Sequence, residues 1–362
     1  MVYFIILLMF IPTIFISAIT PYITRKTESF GVSIPEEVYE QEELVDFRRK
    51  YAWQTAIFGL ITLLLSLTSG LLVKEEQWMF LFMSFFFLFL FGSFFIYLNY
   101  HKKMKQMKAN SKWEQAKTAT VVIDTNFRNR KLIHSHGWFA IAIIITVVTF
   151  AVTVMYYDRI PAQIPMQYGF DGEVTNWAEK SFGSVFSLPL IQLFMVGLFV
   201  FINYTIGRSR QQIDAANPEK SMMQNMIFRQ RWSAFLIFTG TATVALLAAI
   251  QLSLIFPLNV KIIMYGSFLL TGLVLVGAIA LSIITGQGGS RVKTVMGKQG
   301  EMISRDEDQF WKLGIFYFNR NDPAVWVEKR FGSGWTVNMA KPQAWVFFII
   351  ILAIPICISL FS

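Results

Sequence analysis

The sequence is short of charged residues. Only 15% of its 362 residues are Asp, Glu, Lys or Arg, whereas 54% are hydrophobic. Soluble domains carry about 25% charged residues, so this composition excludes an ordinary soluble protein. The mean hydropathy of +0.49 points the same way. The composition therefore predicts an integral membrane protein.

Cysteine and histidine are equally scarce. A single cysteine, Cys357, excludes a disulfide within the chain. The three histidines lie in one basic segment, and His134 and His136 have no acidic or thiol neighbour along the chain. A zinc site usually needs three or four such ligands together. We therefore predict no metal site and no cofactor.

Long apolar runs recur along the chain. A helix needs about 20 mostly apolar residues to cross a bilayer. Eight segments meet or approach this length, and single-sequence boundaries carry an error of about two to four residues. The predicted spans are 2–19, 52–73, 77–99, 137–157, 184–205, 232–255, 262–285 and 343–361.

Basic residues lie almost entirely in alternate loops. Of the 32 Lys and Arg residues, 28 fall in segments 20–51, 100–136, 206–231 and 286–342. The positive-inside rule places such loops in the cytoplasm, and eight spans then put both termini outside. This sidedness also explains the high pI, so we predict the lipid bilayer as a partner and no nucleic acid.

The predicted spans contain amides but no deeply placed charge. Gln192, Asn203 and Gln251 are the polar residues of interest, and Asp, Glu, Lys and Arg are absent from the span centres. Ion relays normally need ionisable groups inside the membrane, which counts against an ion-coupled pump. Hydrogen bonds between helices are the favoured role for Gln192 and Gln251, and lining a cavity is the alternative.

Two loop segments carry local structure signals. Ser33 and Glu36 have the spacing of a capping box with Pro35 in the first turn, which predicts a helix start there. Segment 118–123 is rich in β-branched residues and predicts a short strand. Gly286–Ser290 is glycine-rich but lacks the Gly-Lys-Ser/Thr ending of a phosphate loop, so it predicts a linker.

The loop 158–183 has an unusual pattern of prolines, aromatics and a turn signal. Pro161 and Pro165 favour an extended backbone, and Asp171-Gly172 favours a turn, so we expect an ordered loop. This pattern resembles the outer loop of the SdpI-like family of bacterial membrane proteins. The residues that carry the resemblance are Pro161, Ile164, Pro165, Tyr168, Gly172 and Lys180.

This loop departs from the family pattern at two positions. Gln167 and Thr175 stand where the family has histidine and aspartate, and neither can titrate near neutral pH. A catalytic role for the loop is therefore disfavoured. Recognition remains open against simple turn chemistry, and the candidate recognition residues are Pro161, Ile164, Pro165, Gln167, Tyr168, Asp171, Gly172 and Lys180.

The segment 286–342 is rich in aromatic residues that are interrupted by turn signals. This pattern predicts two or three short strands joined by tight turns. The segment is similar to a C-terminal module that accompanies the SdpI-like loop in many Gram-positive membrane proteins, and the resemblance implies no known activity. Its marker residues are Trp311, Gly314, Tyr317, Asn319, Asp322, Pro323, Arg330, Gly334, Trp335 and Asn338. The basic residues Lys329, Arg330 and Lys341 suggest anchoring at the lipid interface.

The predicted fold is an all-α polytopic membrane protein, with about eight transmembrane helices and a small β-structured cytoplasmic insert before the last helix. The expected organisation is three N-terminal helices over 1–136, an SdpI-like four-helix region over 137–285, the aromatic module over 286–342 and a last helix over 343–362.

Three functions compete. The first is non-enzymatic recognition in a bacterial cell membrane, of the immunity type towards membrane-active peptides that the resemblance implies, with an extracellular peptide or a membrane protein as partner. The alternative is a transporter or channel for a neutral or lipid-like solute. An enzyme ranks last, because metalloprotease and serine-nucleophile motifs and paired intramembrane carboxylates are absent.

Overall fold

Helices dominate the computed structural model, which describes residues 2–111, 113, 131–168, 173–210, 218–292 and 307–361. The chain is helical wherever the sequence has a long apolar run, because a helix satisfies its own backbone groups in lipid. The helices are α1 (Val2–Ile23), α2 (Glu42–Ser69), α3 (Glu75–Asn110), α4 (Ala140–Met155), α5 (Phe182–Arg208), α6 (Pro218–Leu252), α7 (Val260–Thr285) and α8 (Pro342–Phe361).

Seven of the described helices are long and apolar enough to cross a bilayer, and α8 adds a shorter apolar stretch, Pro342–Ile354. The prediction of an all-α polytopic membrane fold is thereby confirmed. Several helices exceed the predicted spans, since α3 has 36 residues and α6 has 35. These extensions carry polar residues, so an apolar run ends where such an extension begins.

Four two-stranded antiparallel sheets complete the described structure. One hairpin lies between α1 and α2, and one lies between α4 and α5. The other two form the β-structured insert predicted before the last helix. The strands are β1 (Glu28–Ser29), β2 (Val32–Ser33), β3 (Gln163–Tyr168), β4 (Val174–Glu179), β5 (Trp311–Lys312), β6 (Phe316–Tyr317), β7 (Trp326–Glu328) and β8 (Trp335–Val337). The strand predicted over 118–123 lies outside the described residues.

The helix predicted to begin at Ser33 is limited to one 3₁₀ turn, which Ser33 does not cap. Instead Ser33 ends β2, a single 3₁₀ turn covers Glu36–Val38, and α2 begins at Glu42. The reason is tertiary: the Ser33 N–H donates to Asp308 at 3.0 Å, and the Ser33 hydroxyl accepts from Arg330 at 2.8 Å. A side chain held by these partners is not available to cap a helix.

The chain forms two compact units, which differ from the linear division expected from the sequence. Unit 1 comprises Met1–Arg130, Ser209–Phe228 and Ile279–Lys341. Its core is an aromatic cluster in which the Phe30 ring stacks on Tyr100 and Phe331 and meets Tyr51 edge-on. The buried members of this core are Phe30, Val32, Ile34, Val38, Tyr39, Leu44, Tyr51, Tyr97, Tyr100 and Met104.

Unit 2 comprises Lys131–Arg208, Arg229–Ala278 and Pro342–Ser362. Within it, α5 packs against α4 and α8. Ala142, Val196 and Val244 form one buried apolar cluster. A stripe of buried threonines also runs along α4, and each hydroxyl donates to the carbonyl four residues earlier. These threonines are Thr146, Thr149 and Thr153.

The three amides singled out in the spans behave differently. Gln251 donates to the Thr153 hydroxyl at 3.2 Å and to the Val185 carbonyl at 3.1 Å, which confirms the interhelical hydrogen bonds predicted for it. Asn203 donates to the His134 carbonyl at 3.3 Å. Gln192 is fully buried, and neither amide atom of its side chain has a partner in the described part of the chain.

Candidate functional site

The loop between α4 and α5 folds as a hairpin of β3 and β4. Its register pairs Ile164 with Ala178 and Pro165 with Trp177, and a bulge follows at Gln167. The ordered loop expected from the prolines is therefore a β-ribbon over its described residues. Asp171 and Gly172, the predicted turn, lie outside the described residues.

The base of this hairpin is firmly held. Ile164 is 2% exposed and packs with Ile160, Val185 and Phe186. The Lys180 ammonium donates to the Ile160 carbonyl at 3.0 Å and lies 4.5 Å from the centre of the Tyr157 ring. Ile164 and Lys180 thus fasten the hairpin to the helix ends.

The start of α5 is capped beside this base. Ser181 accepts from the Ser184 N–H at 3.1 Å, and Ser184 accepts from the Ser181 N–H at 2.9 Å. This reciprocal pair satisfies two backbone donors at a helix start, in the way that a capping box does. A hydrogen-bonded turn consequently joins β4 to α5.

Other predicted recognition residues face outward to different degrees. Pro161 and Gln167 are exposed, whereas Pro165 and Tyr168 are half-buried. Trp177, which the sequence analysis did not select, is 52% exposed at the middle of β4. The sequence did not indicate that Trp177 pairs with Pro165, because strand register is set by pairing and not by composition.

The two edges of the hairpin differ in hydrogen-bonding capacity. The Lys180 N–H donates to the Ala162 carbonyl at 2.8 Å, which makes Ala162–Lys180 a hydrogen-bonded pair. Such pairs alternate along an antiparallel ladder. The Pro165–Trp177 pair is therefore of the other kind, and its backbone groups point away from the partner strand. Pro165 has no N–H to offer at the β3 edge, whereas Trp177 presents both N–H and C=O at the β4 edge.

The C-terminal module, residues 307–341 of unit 1, is organised around Tyr317. Tyr317 is fully buried, its hydroxyl donates to Asp322 at 2.7 Å, and burial raises its pKa to about 12. Arg210 donates to Asp322 at 2.7 Å and to Glu307 at 2.8 Å. The sequence did not identify Arg210 and Glu307 as partners, because the two residues lie far apart along the chain.

Two asparagines close the module. The Asn338 amide donates to the Asn319 carbonyl at 2.8 Å, and the Asn319 N–H donates back to the Asn338 side chain at 3.0 Å. Tyr317 also forms a parallel bridge with Asn338. These contacts bring together Tyr317, Asn319, Asp322 and Asn338, four of the predicted module residues, as a structural cluster.

Arg330 is a second buried centre in unit 1. It is 3% exposed, pairs with Asp308, and donates to the Gly31 carbonyl at 3.3 Å. Arg330 was expected to anchor at the lipid interface, but the structure buries it among carboxylates and carbonyls. Burial leaves it no path to a head group. Its guanidinium also lies 5.5 Å from the centre of the Trp311 ring.

The pKa values of the carboxyl groups around Arg330 are shifted in opposite directions. Burial would raise the pKa of Asp308, but the Arg330 guanidinium and the Lys108 ammonium outweigh it and hold that pKa below its usual range. Burial raises the pKa of Glu28 to about 7, despite Arg330 at 3.7 Å. Glu28 Oε2 is buried and has no hydrogen-bond partner among the described residues, so no hydrogen bond to this oxygen offsets the effect of burial on the pKa.

The glycine-rich segment after α7 is a buried turn and not the linker expected. Gln287 donates to the Lys329 and Gly334 carbonyls at 3.0 and 2.9 Å, and accepts from the Gly334 N–H at 2.6 Å. Gly288 lies directly against the ion pair of Arg25 and Glu328. No side chain would fit at Gly288, so glycine is required there for packing.

The remaining predicted module residues have structural surroundings. The Trp335 ring lies 5.0 Å from the Phe228 ring. Gly314 is in the left-handed region at φ 74° and packs against Tyr97 and His101. Pro323 is exposed. Within the described ranges, no group of three or more His, Cys, Asp or Glu side chains could hold a metal ion.

Two family models match parts of the chain. A domain of unknown function, DUF1648, matches residues 144–193, which include the β3–β4 hairpin and parts of α4 and α5. A family of unknown function, DUF5808, matches residues 320–345, which include β7 and β8. No curated protein and no solved structure matches the chain. The chain is an integral membrane protein that carries these two regions.

Proposed function

We propose that this protein is a non-enzymatic recognition protein of the SdpI-like, immunity type, and that its β3–β4 hairpin binds a membrane-active peptide in a bacterial cell membrane. The observation that carries the proposal is the open β4 edge at Trp177, on a hairpin whose base is held by Lys180 and Ile164. A rigid ribbon with one usable edge suits capture of an extended peptide.

The binding mode follows from the difference between the two edges. A peptide that adds as a third strand gains main-chain hydrogen bonds, while side chains at alternate positions give specificity. Pro165 protects the β3 edge from such pairing, so the peptide would pair with β4. The exposed Trp177 ring and the exposed Glu179 carboxylate would contact an amphipathic, cationic peptide.

A proline at position 177 tests this binding mode. Trp177→Pro removes the outward N–H but no hydrogen bond to β3, so the hairpin should persist while strand addition fails. In a peptide-sensitive strain challenged with a panel of cationic membrane-active peptides, the parent should protect. In cells that express the variant, the highest peptide concentration that the cells survive should be lower by about tenfold or more, as a survival assay measures.

Matched variants separate the backbone from other effects. Gln163→Pro removes the equivalent outward N–H on the β3 edge and should leave protection unchanged. Trp177→Ala removes only the ring and measures the contribution of the side chain. All variants are compared at equal membrane insertion. Protection by Trp177→Pro equal to that of Gln163→Pro, or no protection by the parent against any peptide, would refute the proposal.

A transporter for a neutral solute is the second candidate, and Gln192 favours it. A buried amide without a hydrogen-bond partner costs about 1–3 kcal/mol, so its presence within α5 calls for a compensating role. A solute or water passing along α5 would supply the missing partners.

Flux measurements test this second candidate. Proteoliposomes with the parent should take up at least one neutral solute from a broad panel, and Gln192→Leu should reduce that uptake about tenfold. Ser187→Ala is the control, because the Ser187 hydroxyl is satisfied by the Ser184 carbonyl. Uptake no greater than in empty vesicles, or equal uptake by parent and Gln192→Leu, would eliminate transport.

A further inference from the structure

The length of α3 locates a membrane boundary inside unit 1. The helix has 36 residues, and the predicted span begins at Gln77. The hydrocarbon core of a bilayer takes about 20 helical residues, so its far boundary falls near Tyr97. The rest of α3, to Asn110, extends beyond the core by about 20 Å at 1.5 Å per residue.

The turn between β5 and β6 lies at this boundary. The Tyr97 hydroxyl donates to the Leu313 carbonyl at 2.9 Å. One turn further along α3, the His101 ring bonds the Phe30 carbonyl at 2.8 Å. At the end of α1, the Thr24 hydroxyl accepts from the Gly332 N–H at 3.0 Å. The module is thus attached to α3 at its expected membrane boundary and to Thr24, which directly follows α1.

This turn, β6 and the residue after β6 each expose one large apolar side chain. Leu313 is 49% exposed, Phe316 is 40% exposed and Phe318 is 41% exposed. We call these three residues the Leu313 patch. They lie within six residues of each other, and the Leu313 carbonyl meets the Tyr97 hydroxyl where α3 is expected to leave the hydrocarbon core. Apolar groups in that position are shielded from water only by lipid or by another protein.

Backbone strain indicates that the Leu313 side chain is retained for a purpose. Leu313 has φ +52° and Phe30 has φ +47°, in a region that glycine adopts at lower cost. The Phe30 ring explains its own position, because it is 1% exposed in the aromatic core. Leu313, by contrast, is 49% exposed, so its side chain is available for an external contact.

Exposed lysines lie close in sequence to Tyr97 and Leu313, which mark the membrane boundary. Lys102, Lys103 and Lys105 follow Tyr97 on α3, and Lys312 precedes Leu313; all four are exposed. At 1.5 Å per residue, the three helical lysines lie about 7–12 Å beyond Tyr97, which is the depth of lipid head groups. Each lysine near an anionic membrane surface contributes about 1 kcal/mol of attraction.

We propose that the Leu313 patch inserts into the membrane surface that borders the module, and that the four lysines bind anionic lipid head groups there. Apolar insertion combined with basic residues is the combination that interfacial anchors use. The bilayer is favoured over a protein partner because the patch and the lysines share the depth of its interface. The anchoring predicted for Arg330 is thereby reassigned to the β5–β6 turn.

A spin label on Leu313 measures this insertion directly. In a Cys357→Ser background, Leu313→Cys is labelled with a nitroxide in the full chain, held in nanodiscs of phosphatidylcholine with or without phosphatidylglycerol. Inserted, the label should collide with lipid-soluble oxygen about five times more often, relative to a water-soluble nickel chelate, than a label in water does. Asn321→Cys is the control, because Asn321 is exposed on a polar turn of the same module.

The lysines are tested in the same assay. Lys102→Gln, Lys103→Gln and Lys105→Gln together should reduce insertion of the Leu313 label in discs with phosphatidylglycerol, and change little in discs without it. Equal nickel access to the Leu313 and Asn321 labels in both discs would overturn the proposal. Shielding of the Leu313 label from oxygen and nickel alike would also overturn it, and would indicate a protein contact.

Discussion

Arg330→Met should destabilise unit 1 by about 3–5 kcal/mol, because it removes one partner from a buried charge cluster. Arg330 pairs with Asp308 and donates to the Ser33 hydroxyl and the Gly31 carbonyl. Methionine keeps most of the side-chain volume but offers no donor. The Asp308 carboxylate would keep the Lys108 ammonium and the Ser33 N–H as partners. The Gly31 carbonyl and the Ser33 hydroxyl would each lose the donor that Arg330 supplies.

Hydrogen exchange in detergent micelles measures this loss where it occurs. Peptides from 28–34 and 307–341 should exchange faster in Arg330→Met, and peptides from unit 2 should change less. Lys50→Met is the control, because it breaks the exposed pair of Lys50 and Asp46 and should leave exchange nearly unchanged. Equal protection in the parent and in Arg330→Met would show that the cluster does not stabilise unit 1.

Gly31→Ala should destabilise unit 1 by about 2–5 kcal/mol, from left-handed backbone strain together with overpacking. Gly31 has φ +76°, and a Cβ there would lie 2.5 Å from the Gly314 carbonyl oxygen and 2.7 Å from the Tyr97 hydroxyl oxygen. One of these neighbours is backbone and the other is a buried ring, so neither can move aside freely. The β1–β2 and β5–β6 turns would have to separate.

Gly334→Ala isolates the strain from the clash. Gly334 has φ +109°, and a Cβ there would meet nothing within 4 Å. Its thermal unfolding midpoint in detergent should therefore fall by clearly less than that of Gly31→Ala, with unfolding followed by tryptophan fluorescence. Equal shifts for the two variants would mean that the close approach of Gly31 to Gly314 is unimportant for stability.

The helices were largely predictable because bilayer crossing imposes one simple requirement on composition. Segments 137–157 and 262–285 correspond to α4 and α7 within a few residues. Helix ends were less predictable, since α6 begins at Pro218 while its apolar run begins near 232. Polar residues of the extension pack inside the protein: Asn225 is fully buried and donates to Glu328 at 2.6 Å.

The candidate sites were predicted only in part. Turn residues and alternating aromatics identified both β-regions, but not which side chains each region buries. Lys180 has the charge of a recognition residue, yet its ammonium bonds a carbonyl at the hairpin base. Gly31 belongs to a segment that predicted a helix start nearby. Its role depends on Gly314, which is almost the whole chain away and has no local signature.

The sequence by itself determined that this chain is a multi-pass membrane protein with a small β-structured insert, because hydropathy and turn chemistry are properties of short segments. Only the tertiary structure decided that Arg330 is buried and that Arg25 and Arg210 are half-buried. Each charge is stabilised by carboxylates from distant segments, namely Glu328, Glu307 and Asp308. A charge is buried or exposed according to its partners in space, and these are set by how the segments pack.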